Sequence, residues 1–297
     1  MGNFLRKLFK KKEAVTSAAT TAPLSEDQIK EMLIESQHIE PAQIIVGSGR
    51  NVGRQRTNNE DSLFTLTSTI AVDSTSLPFG IFIIADGMGG HKNGEVASEI
   101  AVRSVSKYIM NKLFDPIFGT SPEIPSESLQ DIMSSSVHEA HRSITKHASG
   151  GGSTLTAVLL MGTQMTIAHI GDSRAYSIFL DGRMQTLTRD HSLVKRLEEL
   201  GQITSEEAAV HPQKSMLYRA LGQGEPSDPD VFTASLPHPG YLLLCSDGLW
   251  NVVSDEEIFT IVTSSPNPQR ACQNLVDAAN AAGGPDNIVA VIVRMSD

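Results

Sequence analysis

Asp86–Gly87 closes the apolar run FGIFIIA, and Asp247–Gly248 closes GYLLLC after a single serine. Asp286–Asn287 precedes IVAVIVR behind a Gly-Gly-Pro turn, Glu60–Asp61 precedes SLFTLT, and Asp172 follows MTIAHI within Gly171–Asp172–Ser173. One Asp-Gly pair signals a turn, and Asp181–Gly182 between two strand patterns reads as one. Several acids at the ends of buried strands are a different matter: gathered in a dry place they repel, and must take up protons or bind cations. Oxygen donors without cysteine or an evident histidine select hard ions, Mg²⁺ or Mn²⁺. Two such ions ~4 Å apart can bridge a water, lower its pKa and clamp a phosphoryl group for in-line attack. The sequence by itself leaves their convergence open.

Other chemistries lack their motifs. There is no GxxxxGK[ST] phosphate loop, GxSxG elbow, HExxH or CxxC. Thr188–Asp190 and His191 touch on a kinase catalytic loop, but its other signatures are missing. His138 and His141 sit three apart on a helix without a third ligand nearby, and read as a solvated face.

The elements that must position the acids follow from periodicity. Residues 79–85 and 240–245 are nearly continuous apolar runs, as in strands buried on both faces. Short strands are expected at 43–47 and 62–67, then at 153–161, 165–170, 174–180, 184–187 and 288–294. Asn93 caps a helix through Met110 with Val96, Ala97, Ile100, Ala101, Val105 and Tyr108 on one face. A second helix spans 127–147 on Leu129, Ile132, Met133, Val137, Ala140 and Ile144, with a loop over 114–126 between the two. Capping boxes or caps at Ser25, Thr204 and Ser254, and Pro268 at a first turn, open further helices. Gly283–Gly284 ends the last. Antiparallel strands alternating with paired helices predict a mixed α/β (α+β) fold, a layered sandwich of two sheets.

The chain carries 24 bases and 34 acids, a net −10. Residues 1–12 hold five of the bases and no acid, leaving 19 against 34, or −15, on the rest. Such an acidic body is not a nucleic-acid binder unless a bound cation changes the local sign. Two cysteines exclude a disulfide scaffold and a thiolate metal site. No apolar run approaches a membrane span, and the N-terminus lacks a secretory core, so a cytoplasmic protein is expected. Residues 1–24 read as a basic, low-complexity tail, followed by a short helix that stops before Pro41; the tail is either a solubilising arm or a weak anchor on anionic lipid. Gly2 fits N-myristoylation, but Arg6 stands where that signal has Ser or Thr.

Seven separated motifs occur in order: Arg56-Thr-Asn-Asn-Glu60-Asp61-Ser, Ala85-Asp86-Gly87-Met-Gly-Gly90-His, Gly152-Ser-Thr154, Gly171-Asp172-Ser-Arg174, Asp190-His191-Ser, Cys245-Ser-Asp247-Gly-Leu-Trp250 and Gly284-Pro-Asp286-Asn287. Together they resemble the metal-dependent serine/threonine protein phosphatases of the type 2C (PPM) family in a bacterial-looking form, over residues 43–296. The resemblance implies a four-layer αββα sandwich with two central antiparallel β-sheets and the metals in a cleft at one end. It divides the chain into a tail and helix over 1–40 and a phosphatase domain over 41–297; within it, residues 192–220, rich in Leu, Glu and Gly-bounded turns, read as a flap beside the cleft. By motif, Asp86 would bridge two metals, the Gly87 carbonyl would join one, and Asp247 and Asp286 would hold the second. Glu60 and Asp61 would act through waters, and Asp172 would help hold a looser third ion or else cap a turn. Arg56 would bind the substrate phosphate, or else is a surface arginine.

His191 reads as a structural hydrogen-bonding residue, Trp250 as core, and Gly152–Thr154 and Gly171 as backbone and packing positions. Animal-type members carry a histidine two residues after the bridging aspartate; here Met88 stands there, and the nearest histidine is His91. The expected activity is hydrolysis of phosphoserine and phosphothreonine in proteins by water activated on two or three Mn²⁺ or Mg²⁺ ions. Phosphorylated proteins, including a serine/threonine kinase or its substrates, would be the partners of a monomer. A catalytically weak or dead regulatory module that binds phosphorylated partners is the alternative; lost metal acids would mark it, and none is lost.

Overall fold

The computed structural model describes residues 41–72, 75–89, 92–120 and 125–296. The expected tail and helix of residues 1–40, and His91, lie outside them.

Strands β1 (Ile44–Asn51), β2 (Asp61–Val72) and β3 (Thr75–Met88) lead into two long helices, α1 (Lys92–Phe118) and α2 (Leu129–His147). After β4 (Gly152–Ser153), β5 (Leu155–Met161), β6 (Gln164–Ile170), β7 (Arg174–Phe179) and β8 (Met184–Thr186) come two short helices, α3 (Leu193–Glu199) and α4 (Ser205–Ala209). The chain closes with β9 (Asp230–Ser235), β10 (Gly240–Cys245), the single turn α5 (Asp247–Trp250), α6 (Asp255–Ser264), α7 (Pro268–Ala281) and β11 (Ile288–Met295).

All strand pairs are antiparallel, and the strands form two sheets. One runs β1-β11-β10-β7-β8; the other runs β2-β3-β5-β6-β9, with β4 paired to β3. Phe82, Ile84, Val158, Leu160 and Ile167 of the second sheet meet Leu242, Leu244, Val289, Val291 and Val293 of the first in a core between them. The alternate residues pack outward: Phe79, Ile81 and Ile83 against α1 and α2, and Leu243, Cys245, Ala290 and Ile292 against α6 and α7. Strands β3, β5, β10 and β11 therefore bury both faces, which is why they read as unbroken apolar runs. The result is an αββα sandwich.

The termini of the sandwich are edge to centre: Ile44 pairs with Met295 and Asn51 with Ile288. Gln43 N–H donates to Ser296 Oγ at 2.8 Å and Ser296 N–H to the Gln43 carbonyl at 2.7 Å.

Three expectations are corrected. Helix α1 runs on through Pro116 to Phe118 instead of giving way to a loop at 114. Phe118 stacks edge-on against Phe79, with centroids 5.3 Å apart, and this apolar contact holds the final turn where proline removes a hydrogen bond. The buried line of α1 is Ala97, Ala101, Val105, Ile109 and Leu113, at intervals of four, so Val96 turns to solvent. His141 is buried, not solvated: its Nδ1 accepts from Gly222 N–H at 3.2 Å.

Candidate metal centre

β2 and β3 place Asp61 and Asp86 opposite each other across the ladder. β10 ends at Cys245, Ser246 leads into α5, and Asp247 is the first residue of that turn. Asp286 lies in the loop that enters β11, next to β10 in the same sheet. Each sheet thus delivers two aspartates to one end of the sandwich. There, Arg56, Glu60, Asp86, Gly87, Asp172, Asp247 and Asp286 line a single cleft of about 320 Å³, joined by Ser215 and Leu217 of the 192–220 segment.

The acids crowd one another. Burial is the main cause that pushes the Asp86 carboxyl well above the carboxylate range, and the charges of Asp61, Asp247, Asp172 and Asp286 push it further. Burial raises Asp61 to about 8 against the opposing hydrogen bond from Ser246, with Asp247 and Asp286 adding to the rise. Asp247 is raised to about 6 by burial and by Asp286. Asp172, only 8% exposed, is raised by burial and by Asp247. Arg56 at the mouth is raised as well: burial lowers it, but Asp286, Glu60 and Asp247 outweigh that.

Two buried oxygens, Asp61 Oδ1 and Asp247 Oδ1, have no hydrogen-bond partner. A buried carboxylate oxygen without a donor is costly, and a hard cation is a partner that would satisfy it. The donor set, carboxylates with the Gly87 carbonyl beside them, fits Mn²⁺ or Mg²⁺. Among the described residues no three acidic, cysteine or histidine side chains form a ready ligand set around one point. That suits an ion that keeps several waters and takes one or two carboxylates.

Neighbouring side chains fix the acids from behind. Ser246 Oγ donates to Asp61 Oδ2 at 2.8 Å and accepts from Val289 N–H at 3.0 Å. Thr154 grips Asp86 by its backbone: Thr154 Oγ1 accepts from Asp86 N–H at 3.0 Å, and Thr154 N–H donates to the Asp86 carbonyl at 2.8 Å. This grip breaks the expected strand 153–161 at Thr154 into β4 and β5. Asn287 ties its own loop to the β1–β2 loop at three points: Oδ1 accepts from Glu60 N–H at 2.7 Å, and Nδ2 donates to the carbonyls of Val52 and Asn58. Reading by residue type had left Ser246, Thr154 and Asn287 without roles in the site. Their position inside or beside the acid motifs was the only available signal.

Gly87 has a steric duty too. A Cβ there would lie 2.2 Å from the Gly94 carbonyl oxygen and 2.6 Å from that of Glu60. Only glycine lets the start of α1 and the Glu60 loop close on the metal-side backbone.

Arg56 Nη2 donates to Asp286 Oδ2 at 2.7 Å, and its side chain is 53% exposed. His191 stands away from the reacting end. Its Nδ1 accepts from Gly171 N–H at 3.1 Å, so Nε2 carries the proton and donates to Asp230 Oδ2 at 3.1 Å. Among the described lining residues there is no histidine, and Met88 lines the cleft where animal-type relatives have one.

Residues 45–288 match the family described as protein phosphatase 2C. Protein phosphatase PhpP of Streptococcus pneumoniae is 36% identical over 253 residues, covering 83% of this chain and 96% of its own length. The crystal structure of the Mycobacterium tuberculosis serine/threonine phosphatase PstP/Ppp superposes with a TM-score of 0.71 at 31% identity, over 86% of this chain and all of that one. A structure of the PstP catalytic domain in complex with two manganese ions matches with a TM-score of 0.69 at 30% identity, over the same shares.

Proposed function

The chain belongs to the protein phosphatase 2C family, and on that footing we propose how its cleft removes phosphate from serine and threonine side chains of proteins. It is a metal-dependent phosphoprotein hydrolase, and manganese is its cofactor. Asp86, crowded by four other acids, would be shared between two ions. The Gly87 carbonyl would complete one, and Asp247 and Asp286 would hold the other. Glu60 and Asp61 would orient water around them, and Asp172 would hold a looser third ion. Bound manganese supplies the positive field that acidifies water and offsets the charge of the phosphate.

The chain's own residues do the rest. Arg56 stands half-exposed at the mouth, where its planar fork suits two phosphate oxygens. To reach them it must leave Asp286. Thr154 and Ser246 hold Asp86 and Asp61 from the protein side, and so would keep these carboxylates in place for the ions. A metal-bound water could serve as the acid for the leaving alkoxide. The observation that carries this reading is the pair of buried, partnerless oxygens of Asp247, in the cleft that also holds Arg56, and of Asp61, paired across the ladder with the cleft's Asp86. A binding-only module is not favoured, because every acid of the motifs is in place.

Finer readings accompany it. The catalytic unit is residues 41–297, with 192–220 as the flap, a reading supported by Ser215 and Leu217 on the cleft wall. The enzyme counters a serine/threonine kinase in cytoplasmic signalling, and Mg²⁺ serves beside Mn²⁺. The five bases of residues 1–12 give weak contact with anionic lipid. No described helix is long and apolar enough to cross a membrane. The decisive assay measures phosphate release from phosphoserine, phosphothreonine and phosphotyrosine peptides. Release from the first two should stop on chelation and return with Mn²⁺; release that survives chelation overturns the metal roles.

A further inference from the structure

The single turn α5 has an acid of the cleft at one end and the chain's sole tryptophan at the other. Trp250 does more than fill the core. Its Nε1–H donates to the backbone carbonyl of Asp172 at 3.0 Å, across 78 residues of sequence. The Arg174 guanidinium lies flat against the indole, its Cζ 3.5 Å from the ring centroid. Arg174 is itself fixed: Nε and Nη2 donate to the two oxygens of Asp190 at 3.0 and 2.7 Å, and Nη1 to the Tyr176 hydroxyl at 3.2 Å. The Asp172 turn is pinned on its other side by His191, which accepts from Gly171 N–H through Nδ1 and donates its own N–H to the Gly171 carbonyl at 2.7 Å.

We propose that Trp250 is a positioning residue that spans from the Asp247 turn to the Asp172 turn, and so sets the affinity of the ion that Asp172 helps to hold. It rests on the reading of Asp172 above. Asp86, Asp247 and Asp286 are fixed by strands and by their own loops. Asp172 sits on a turn between β6 and β7, and the indole N–H is the bond that joins this turn to the α5 turn. A core role alone would be met by any large apolar ring; a donor aimed at the peptide carbonyl of a cleft acid would not be needed. The stack on Arg174 fixes the plane of the ring, so the direction of that donor is set before any ion arrives.

The test uses the full chain and Mn²⁺ itself, counting bound ions by the paramagnetic resonance of free Mn²⁺. Trp250→Phe keeps an aromatic ring for Arg174 and removes the donor together with the fused pyrrole that carries it. It should leave the tighter class of sites within about twofold and weaken the weaker class about fivefold, the worth of one neutral hydrogen bond. Asp172→Asn should abolish the weaker class, and Trp250→Phe added to it should change nothing further. An unchanged weaker class in Trp250→Phe, or equal weakening of both classes, overturns the proposal. A weaker class that survives in Asp172→Asn overturns the reading of Asp172 beneath it. Should the phenylalanine variant not fold, the wild-type indole decides. Its emission should show a step as diamagnetic Mg²⁺ fills the weaker class, absent in Asp172→Asn; no step in the wild type overturns the coupling.

Discussion

Arg56 Nη2 lies 2.7 Å from Asp286 Oδ2, so the cation assigned to the substrate and an anion assigned to a metal are paired with each other. The pair spans 230 residues and joins the loop before β2 to the loop before β11. On the proposed roles, an ion that took Asp286 would free the arginine to face the phosphate.

Arg56→Ala should therefore raise KM for a phosphopeptide about ten- to hundredfold, the worth of a charge-assisted hydrogen bond, while Mn²⁺ binding stays the same or tightens. Arg56→Lys should recover only part of the loss, because a point charge cannot replace the fork. An unchanged KM in the alanine variant removes Arg56 from phosphate binding.

Asp86→Asn and Asp247→Asn should each lower kcat by at least about a hundredfold, beyond what outer-shell partners cost. Without metal, these variants should melt no lower than the wild type, since each relieves one charge in a repelling cluster. Wild-type turnover in either variant would falsify the metal roles.

Saturating Mn²⁺ should raise the melting temperature. An ion at about 100 times its Kd contributes about 2.7 kcal/mol, or roughly 5–10 °C for a domain of this size. Thermal scans with and without chelator measure it, and the shift should vanish in Asp86→Asn. Coincident melting curves would mean that no ion bridges the acids.

Acid should weaken the fold through His169. Burial, with the neighbouring His191 charge, lowers its pKa to about 4. Nε2–H donates to the carbonyls of Gly171 and Arg189 at 3.1 Å each, which leaves Nδ1, 3.0 Å from the Thr156 hydroxyl, as the unprotonated nitrogen. Because the folded value lies below the unfolded one, this group's contribution is complete above about pH 6.5 and is lost as pH falls toward 4. The loss is about 3 kcal/mol at most. Urea titrations at pH 7 and 4.5 should show a steeper decline for the wild type than for His169→Gln. Comparing the two separates His169 from Asp61 and Asp86, whose raised values stabilise the metal-free fold as pH falls. Equal declines would remove His169 from the acid response.

Sequence revealed what one residue type or one short run determines. Strand β10 fell at residues 240–245 as read, because burial on both faces leaves six apolar residues in a row between Pro239 and Ser246. The acids were visible because carboxylates at strand ends are rare without a use. Relations between distant segments were hidden. The pairing of Asp61 with Asp86 is a matter of ladder register, and the Arg56–Asp286 contact is made by two loops. Asn287 could not be singled out, since an amide that ties Val52, Asn58 and Glu60 is identified only by the distant loop it meets. Helix α1 overran its expected end because a tertiary contact, Phe118 on Phe79, overrode the local signal of Pro116.

The register of β1 on β11 has a bearing on how the enzyme can be moored. Its eight residues run from Ile44, beside Met295, to Asn51, beside Ile288 and the carboxylates, a span of about 23 Å. Gln43 and Ser296 thus stand at the pole opposite the catalytic mouth, and a grip on that pole would leave the mouth turned outward to incoming phosphoproteins.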